Sequence, residues 1–128
     1  MNNEHTGLSL WVAPMAFKLR TKLLQHNPEN PDGFSRNRFV LSAGNGSMLF
    51  YSLFHLTGYT ISRDEIKKFW QWGRKVPRHS DRGVTSGVET TTGQLGGSFA
   101  NDVGMAIALL KLIITTSEKC TELESSQK

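Results

Sequence analysis

The feature that most restricts this chain's fold is the turn Gly44-Asn45-Gly46, set between two apolar segments. Before it, residues 38–42 read RFVLS, a short run that suits a buried strand. After it, residues 47–57 carry Met48, Leu49, Phe50, Tyr51, Leu53, Phe54 and Leu56, apolar almost all round. A helix of that kind belongs inside a larger structure. A strand feeding a helix through a glycine turn is an α/β feature. One strand makes no sheet by itself, so the pattern predicts the opening part of a larger parallel-sheet domain.

The remaining segments read mostly as helix and loop. Pro14 suits the first turn of a helix that reaches about Gln25, with Met15, Leu19 and Leu23 on one side. Residues 27–37 hold two prolines, a glycine and three asparagines, which is loop chemistry. Gly58 is placed to end the helix after the turn. Ser62-Arg63-Asp64-Glu65 has the capping-box pattern and opens a short helix expected to reach Trp72. Residues 74–92 form a long Gly-, Ser- and Thr-rich connection, and loops of that length are usually functional or disordered. A last helix spans about 95–115, with Phe99, Val103, Ile107 and Leu110 at helical spacing. Residues 117–128 read as a polar, disordered tail.

Composition narrows the partners. The chain has 128 residues, which bounds it to one domain. Lys and Arg number 15 against 11 Asp and Glu, a net charge of +4, and the charges are scattered. Nucleic-acid recognition needs basic residues clustered on one face, so no nucleic-acid partner is expected. Phosphate ligands fit the mild positive charge as well as a plain solvated surface does. The one cysteine, Cys120, forms no internal disulfide, which suits a reducing compartment. The apolar stretch at 103–114 contains Lys111 and is shorter than the roughly 20 residues of a membrane span. It therefore reads as a buried helix, with no membrane partner. A soluble, cytoplasmic protein is expected, or a plastid one if the true N-terminus lies upstream.

Two loops have the chemistry to hold an anion. Gly44-Asn45-Gly46 lets backbone N–H groups approach a phosphate at a helix N-terminus. It falls short of a dinucleotide fingerprint, because Leu49 stands at the third glycine position, although Asp64 lies where a ribose ligand would. The second loop is Val88-Glu89-Thr90-Thr91-Thr92-Gly93-Gln94-Leu95-Gly96-Gly97, rich in hydroxyls and glycine. The first loop reads equally as a tight turn, and the second, as a generic pattern, reads better as a flexible loop with a helix cap. The histidines His5, His26, His55 and His79 have no metal-ligand spacing.

Longer strings carry more information. NPENP at 27–31, RFVLSAGNGSM at 38–48, SLFHLTGY at 52–59, QWGRKVPRH at 71–79, GVETTTGQLGG at 87–97 and NDVGMAIA at 101–108 follow one another in order. Together they resemble the thiamine-diphosphate-binding N-terminal domain of transketolases. EHTGL at 4–8 and Ala13-Pro14-Met15 match more loosely.

The resemblance implies an α/β fold: a fragment of a thiamine-diphosphate-binding parallel-sheet domain, mostly helical in this portion. Residues 1–116 would be part of that domain and 117–128 the tail. It implies ketol transfer between sugar phosphates in the pentose phosphate pathway or Calvin cycle, with thiamine diphosphate and Mg2+, in a homodimer family. By the same resemblance His5 and His79 would contact substrate, and Asn45, Gly93 and Leu95 the cofactor. Several positions depart from the family. Asn45 replaces a histidine, Arg78 a glycine beside His79, and Gln94 a proline. Gly96-Gly97-Ser98 stands for GQG, and Asp102 for a small apolar residue. The family's metal-binding GDG motif does not occur, so no metal ligand is assigned and no catalytic set is complete. The expectation is a truncated transketolase-like polypeptide, inactive alone. The alternatives are a non-catalytic module that pairs with a full-length transketolase subunit, and a small nucleotide-binding domain built on residues 44–64.

Overall fold

A computed structural model of the chain describes residues 6–71 and 73–126. Helix α1, Thr6–Lys18, runs directly into a π-helical turn, Leu19–Leu23. Pro14 lies inside α1, not in its first turn, so the helix starts earlier than the sequence suggests. The wide turn aims Arg20 inward, where it is 5% exposed. Its guanidinium carbon lies 4.7 Å from the ring centres of both Phe54 and Tyr59.

The glycine turn Gly44–Gly46 is a 3-10 turn that passes straight into α2, Ser47–Leu56. The end of α2 is a Schellman motif. The Tyr59 N–H donates to the Phe54 carbonyl at 3.0 Å and the Gly58 N–H to His55 at 3.4 Å. Gly58 takes φ 89°, which suits glycine and turns the chain back so that Tyr59 packs on Phe54. The short helix α3, Arg63–Lys67, opens with the capping box that its sequence announces, and it ends well before residue 72.

The core gathers on α2. Phe50, Tyr51 and Phe54 meet Tyr59, Ile61, Val76 and Val88, with Phe39, Leu41, Ile66 and Phe69 packed round them. The ring centres of Phe50 and Phe54 are 4.4 Å apart, and those of Phe54 and Tyr59 4.6 Å. The 74–92 connection belongs to this core, because Val76, Thr85 and Val88 are buried. Arg36 and Glu89, both largely buried, pair at 2.8 Å and tie the 27–37 loop to that connection.

Within the described residues the chain is mostly helical, and two segments differ from the expected form. No strand forms among the described residues, so the α/β, parallel-sheet reading is not met within them. Residues 38–42 supply Phe39 and Leu41 to the edge of the core but have no neighbouring strand to pair with. The last helix, α4, Gly97–Ser126, is 30 residues long and runs on through the polar residues expected to be a tail. It is also not buried: Phe99, Ile107, Leu110 and Ile113 are each more than half exposed. Over Gly97–Lys119 it is long and apolar enough, by length and composition, to cross a membrane.

Candidate functional site

Three segments converge where α2 begins. The first is the glycine turn itself, with Gly44 and Gly46 buried and Asn45 exposed. The second is Pro77-Arg78-His79-Ser80, and the third is Thr90-Thr91-Thr92-Gly93. Gly44 is where they touch. A Cβ at Gly44 would collide with Nδ1 of His79 and come within 3.1 Å of the Thr92 hydroxyl. The absence of a side chain at 44 therefore gives His79 its place.

Hydroxyl groups fasten the three segments together. The Ser47 Oγ donates to the Gly44 carbonyl at 2.6 Å and accepts from the Ser80 N–H at 3.0 Å. The Thr92 N–H donates to the Ser80 carbonyl at 2.8 Å, and the Ser80 and Thr92 hydroxyls lie 3.2 Å apart. Ser47, Ser80 and Thr92 are all buried, so these bonds are shielded from water. Just outside, the Thr91 hydroxyl donates to Asp81 at 2.6 Å and accepts from the Arg82 N–H at 3.1 Å. From α2, the Tyr51 hydroxyl donates to the Pro77 carbonyl at 3.0 Å. Burial pushes the Tyr51 phenol well above its ordinary pKa, so it remains a donor.

The sequence-derived site residues fall as follows. His79 is half-buried, and its Nδ1 is buried without a hydrogen-bond partner. Asn45 sits on the exposed side of the turn, and Gly93 follows Thr92 at the surface. Leu95 is 87% exposed and makes no part of the packed site. His5 lies outside the described residues. Asp64, the ribose ligand of the nucleotide-binding alternative, is on the surface of α3 and pairs with Lys67 at 3.0 Å. Asp102 is exposed on α4, so its carboxylate stays in water. Sequence reasoning missed Ser47, Ser80 and Tyr51. The signal available was a hydroxyl directly after the glycine turn, facing a threonine run in a distant loop.

A bare glycine turn at a helix start, a histidine with an unpartnered nitrogen and an exposed glycine loop suit a ligand with a phosphate end. No group of three His, Cys, Asp or Glu among the described residues is placed to hold a metal ion.

The glycine turn, the His79 loop and the Thr92 segment thus form one packed wall at the start of α2. Residues 1–126 match the family model described as "Transketolase, thiamine diphosphate binding domain". The chain is 56% identical over 114 residues to a transketolase of Halalkalibacterium halodurans, covering 89% of this chain and 17% of that protein. It is 49% identical over 108 residues to a chloroplastic transketolase of Solanum tuberosum, covering 84% of this chain and 15% of that one. Among solved structures, the transketolase of Leishmania mexicana matches with a TM-score of 0.73 and 47% identity, over 74% of this chain and 14% of that one. A Pichia stipitis transketolase solved with sedoheptulose-7-phosphate matches with a TM-score of 0.71 and 39% identity, over 76% of this chain and 14% of that one. The chain belongs to the transketolase thiamine-diphosphate-binding domain family, and it spans about 17% of the length of the first of these relatives.

Proposed function

We propose that these residues form the turn-and-histidine wall of a transketolase cofactor site, whose whole protein moves a two-carbon ketol unit between sugar phosphates. The observation that carries this reading is the meeting of the glycine turn, His79 and Thr92 around Gly44. His79 would contact substrate, and the turn with Gly93 would face the cofactor. Thiamine diphosphate, when bound, supplies the carbanion-stabilising chemistry. This chain's residues position groups around it. Mg2+ ligands and the parallel sheet would come from the rest of the domain. So would the cover for the apolar faces of α4, which on this reading meet protein and not lipid. The compartment would be the cytoplasm, or the plastid as the name of the Solanum tuberosum relative indicates.

On this reading the 128 residues alone hold no complete catalytic set. Calorimetry with thiamine diphosphate and Mg2+ tests that, and metal-dependent micromolar binding by the chain alone would overturn it. A chimera tests the site itself. Residues 1–116 replace their counterpart in a full-length transketolase, and Asn45→His is then compared with Asn45. Asparagine does not titrate near neutral pH, and a positioned acid–base group is worth about 10²–10⁴ in rate. Asn45→His should raise ketol transfer within that range. Equal rates would remove Asn45 from the site.

A second reading has the chain pairing with a transketolase subunit in trans. The exposed Trp11, Met15, Phe99 and Ile113 favour it, because faces of this kind seek cover. Co-expression with a tagged full-length transketolase should retain the chain on the tag. A stable monomer that never co-elutes would exclude pairing.

A further inference from the structure

A buried ion pair stands behind the loop that carries Gly93. Nη2 of Arg36 lies 2.8 Å from one carboxylate oxygen of Glu89 and 3.0 Å from the other, and the two side chains are 13% and 10% exposed. At that burial the pair is screened little by salt. Taking one partner away leaves the other charge buried and uncompensated. Arg36 is itself held in place. Its Nη1 donates to the Gly33 carbonyl at 3.3 Å. The next residue, Asn37, bonds Gln25 twice. Its N–H donates to the Gln25 carbonyl at 2.8 Å, and its side-chain oxygen accepts from the Gln25 N–H at 2.7 Å. The cation therefore comes from a segment fixed to the chain just after the π-helical turn.

Glu89 lies 53 positions beyond Arg36, where the chain passes from the core into the exposed loop. Val88 before it is buried in the core. After it, the Thr91 hydroxyl donates to Asp81 at 2.6 Å, and the Thr92 N–H donates to the Ser80 carbonyl at 2.8 Å. Beyond Thr92 the hold ends. A Cβ at Gly93 would meet nothing within 4 Å, and Leu95 is 87% exposed. The bonds at 89, 91 and 92 thus set where the backbone delivers Gly93, and the one at 89 reaches outside the site, through Arg36.

We propose that Arg36 and Glu89 are positioning residues for the cofactor-facing loop: their ion pair fixes the backbone of residues 90–93, and with it the affinity for thiamine diphosphate. This role rests on the reading that Gly93 faces the cofactor. The pair acts through the loop and not by contact with the ligand.

The test alters Arg36, because Glu89 also attracts the buried guanidinium of Arg20. Arg36→Met removes the pair. Arg36→Gln keeps a donor without the charge and serves where Arg36→Met does not fold. Arg36→Lys restores an ammonium that can bridge both oxygens as Nη2 does. Ser62→Ala, which loosens α3 only, is the control for general loss of stability. In the 128-residue chain, hydrogen exchange at the Thr92 amide should speed up about tenfold or more in the Met and Gln variants, and stay near the native rate in the Lys and Ser62 variants. Thiamine diphosphate binding is then measured by calorimetry, at fixed Mg2+, on the chimera that carries residues 1–116 in a full-length transketolase. Its Kd should rise roughly tenfold in Arg36→Gln, within the roughly 10²-fold that a 1 Å misplacement can cost, and Arg36→Lys should recover most of the loss. A Thr92 amide unmoved in both loss variants, or a Kd raised as much by Ser62→Ala, overturns the positioning role alone. Faster exchange at Thr92 with an unchanged Kd, or a chimera that binds no thiamine diphosphate with Arg36 in place, overturns the reading of Gly93 on which it rests.

Discussion

Gly44→Ala is the perturbation that most directly probes the site. The new methyl would collide with His79 Nδ1, lie 3.3 Å from its Cε1 and 3.1 Å from the Thr92 hydroxyl. His79 has little freedom to retreat. Its neighbour Ser80 is held on one side by Ser47 at 3.0 Å and on the other by the Thr92 N–H at 2.8 Å. Overpacking of a fixed site costs about 1–3 kcal/mol. Gly46→Ala is the control within the same turn. Its methyl would meet only Leu41 at 3.6 Å and Leu8 at 3.9 Å, ordinary contacts, and Gly46 already has φ −85°. Replacing such a glycine by alanine stabilises by about 0.4–1 kcal/mol through the unfolded chain. The two variants should therefore differ by about 1.4–4 kcal/mol in urea unfolding at unchanged m. In Gly44→Ala alone the His79 ring signals in 1H–15N spectra should move. Equal stability of the two variants with an unmoved His79 would refute the reasoning.

Other sites make separate predictions. Arg20→Met removes a buried cation whose Nε and Nη2 find no partner, at the loss of two ring contacts. It should stabilise by about 1–3 kcal/mol in urea unfolding, and a loss would show that the rings outweigh desolvation. His26 is held below its ordinary pKa by burial and then by the charge of Arg20. The unfolded chain therefore takes up the proton first. Stability from this group is full above about pH 6.5 and falls as the pH drops below it. Thermal unfolding of His26→Gln should show a shallower fall than the native chain through that window. Ser62→Ala removes the cap that accepts from the Glu65 N–H at 3.2 Å. It should cost about 1 kcal/mol by the same urea assay, with the change confined to α3 in hydrogen exchange.

What the sequence disclosed depended on how local the cause was. Gly58 ending α2 and the Ser62–Glu65 box are decided within a few residues, and both stand as the sequence implied. The resemblance named Asn45 and His79 as candidates, but the contact that joins their segments was not legible in it. It depends on a missing Cβ at 44 meeting a ring thirty-five positions away. Residues 38–42 look like a strand because Phe39, Val40 and Leu41 favour one. Strand formation also needs a partner for the backbone groups, and no described segment offers it. Arg20 is the sharpest miss. An arginine between Lys18 and Lys22 reads as one of a row of solvated charges, yet the π-helical turn carries it between two aromatic rings.

The same division between local and distant causes accounts for the shape of the whole. The polar fastening of the site joins residues inside these 128 positions: Ser47 to Ser80, Ser80 to Thr92, Arg36 to Glu89. Each of these bonds is made within the chain. The apolar faces of α4 are different. Met105 and Leu109 are partly covered, while Phe99, Val103, Ile107 and Leu110 on the other side are exposed. A helix apolar on more than one side sits between two packed layers in a finished domain, and this chain supplies contact to one side only. The 520 Å³ cleft between α4 and the 82–91 segment marks the same incompleteness, with the Thr90 hydroxyl buried there and unpartnered. Family membership explains both features together. The matched relatives extend far beyond the aligned region, which leaves room for further protein to cover α4.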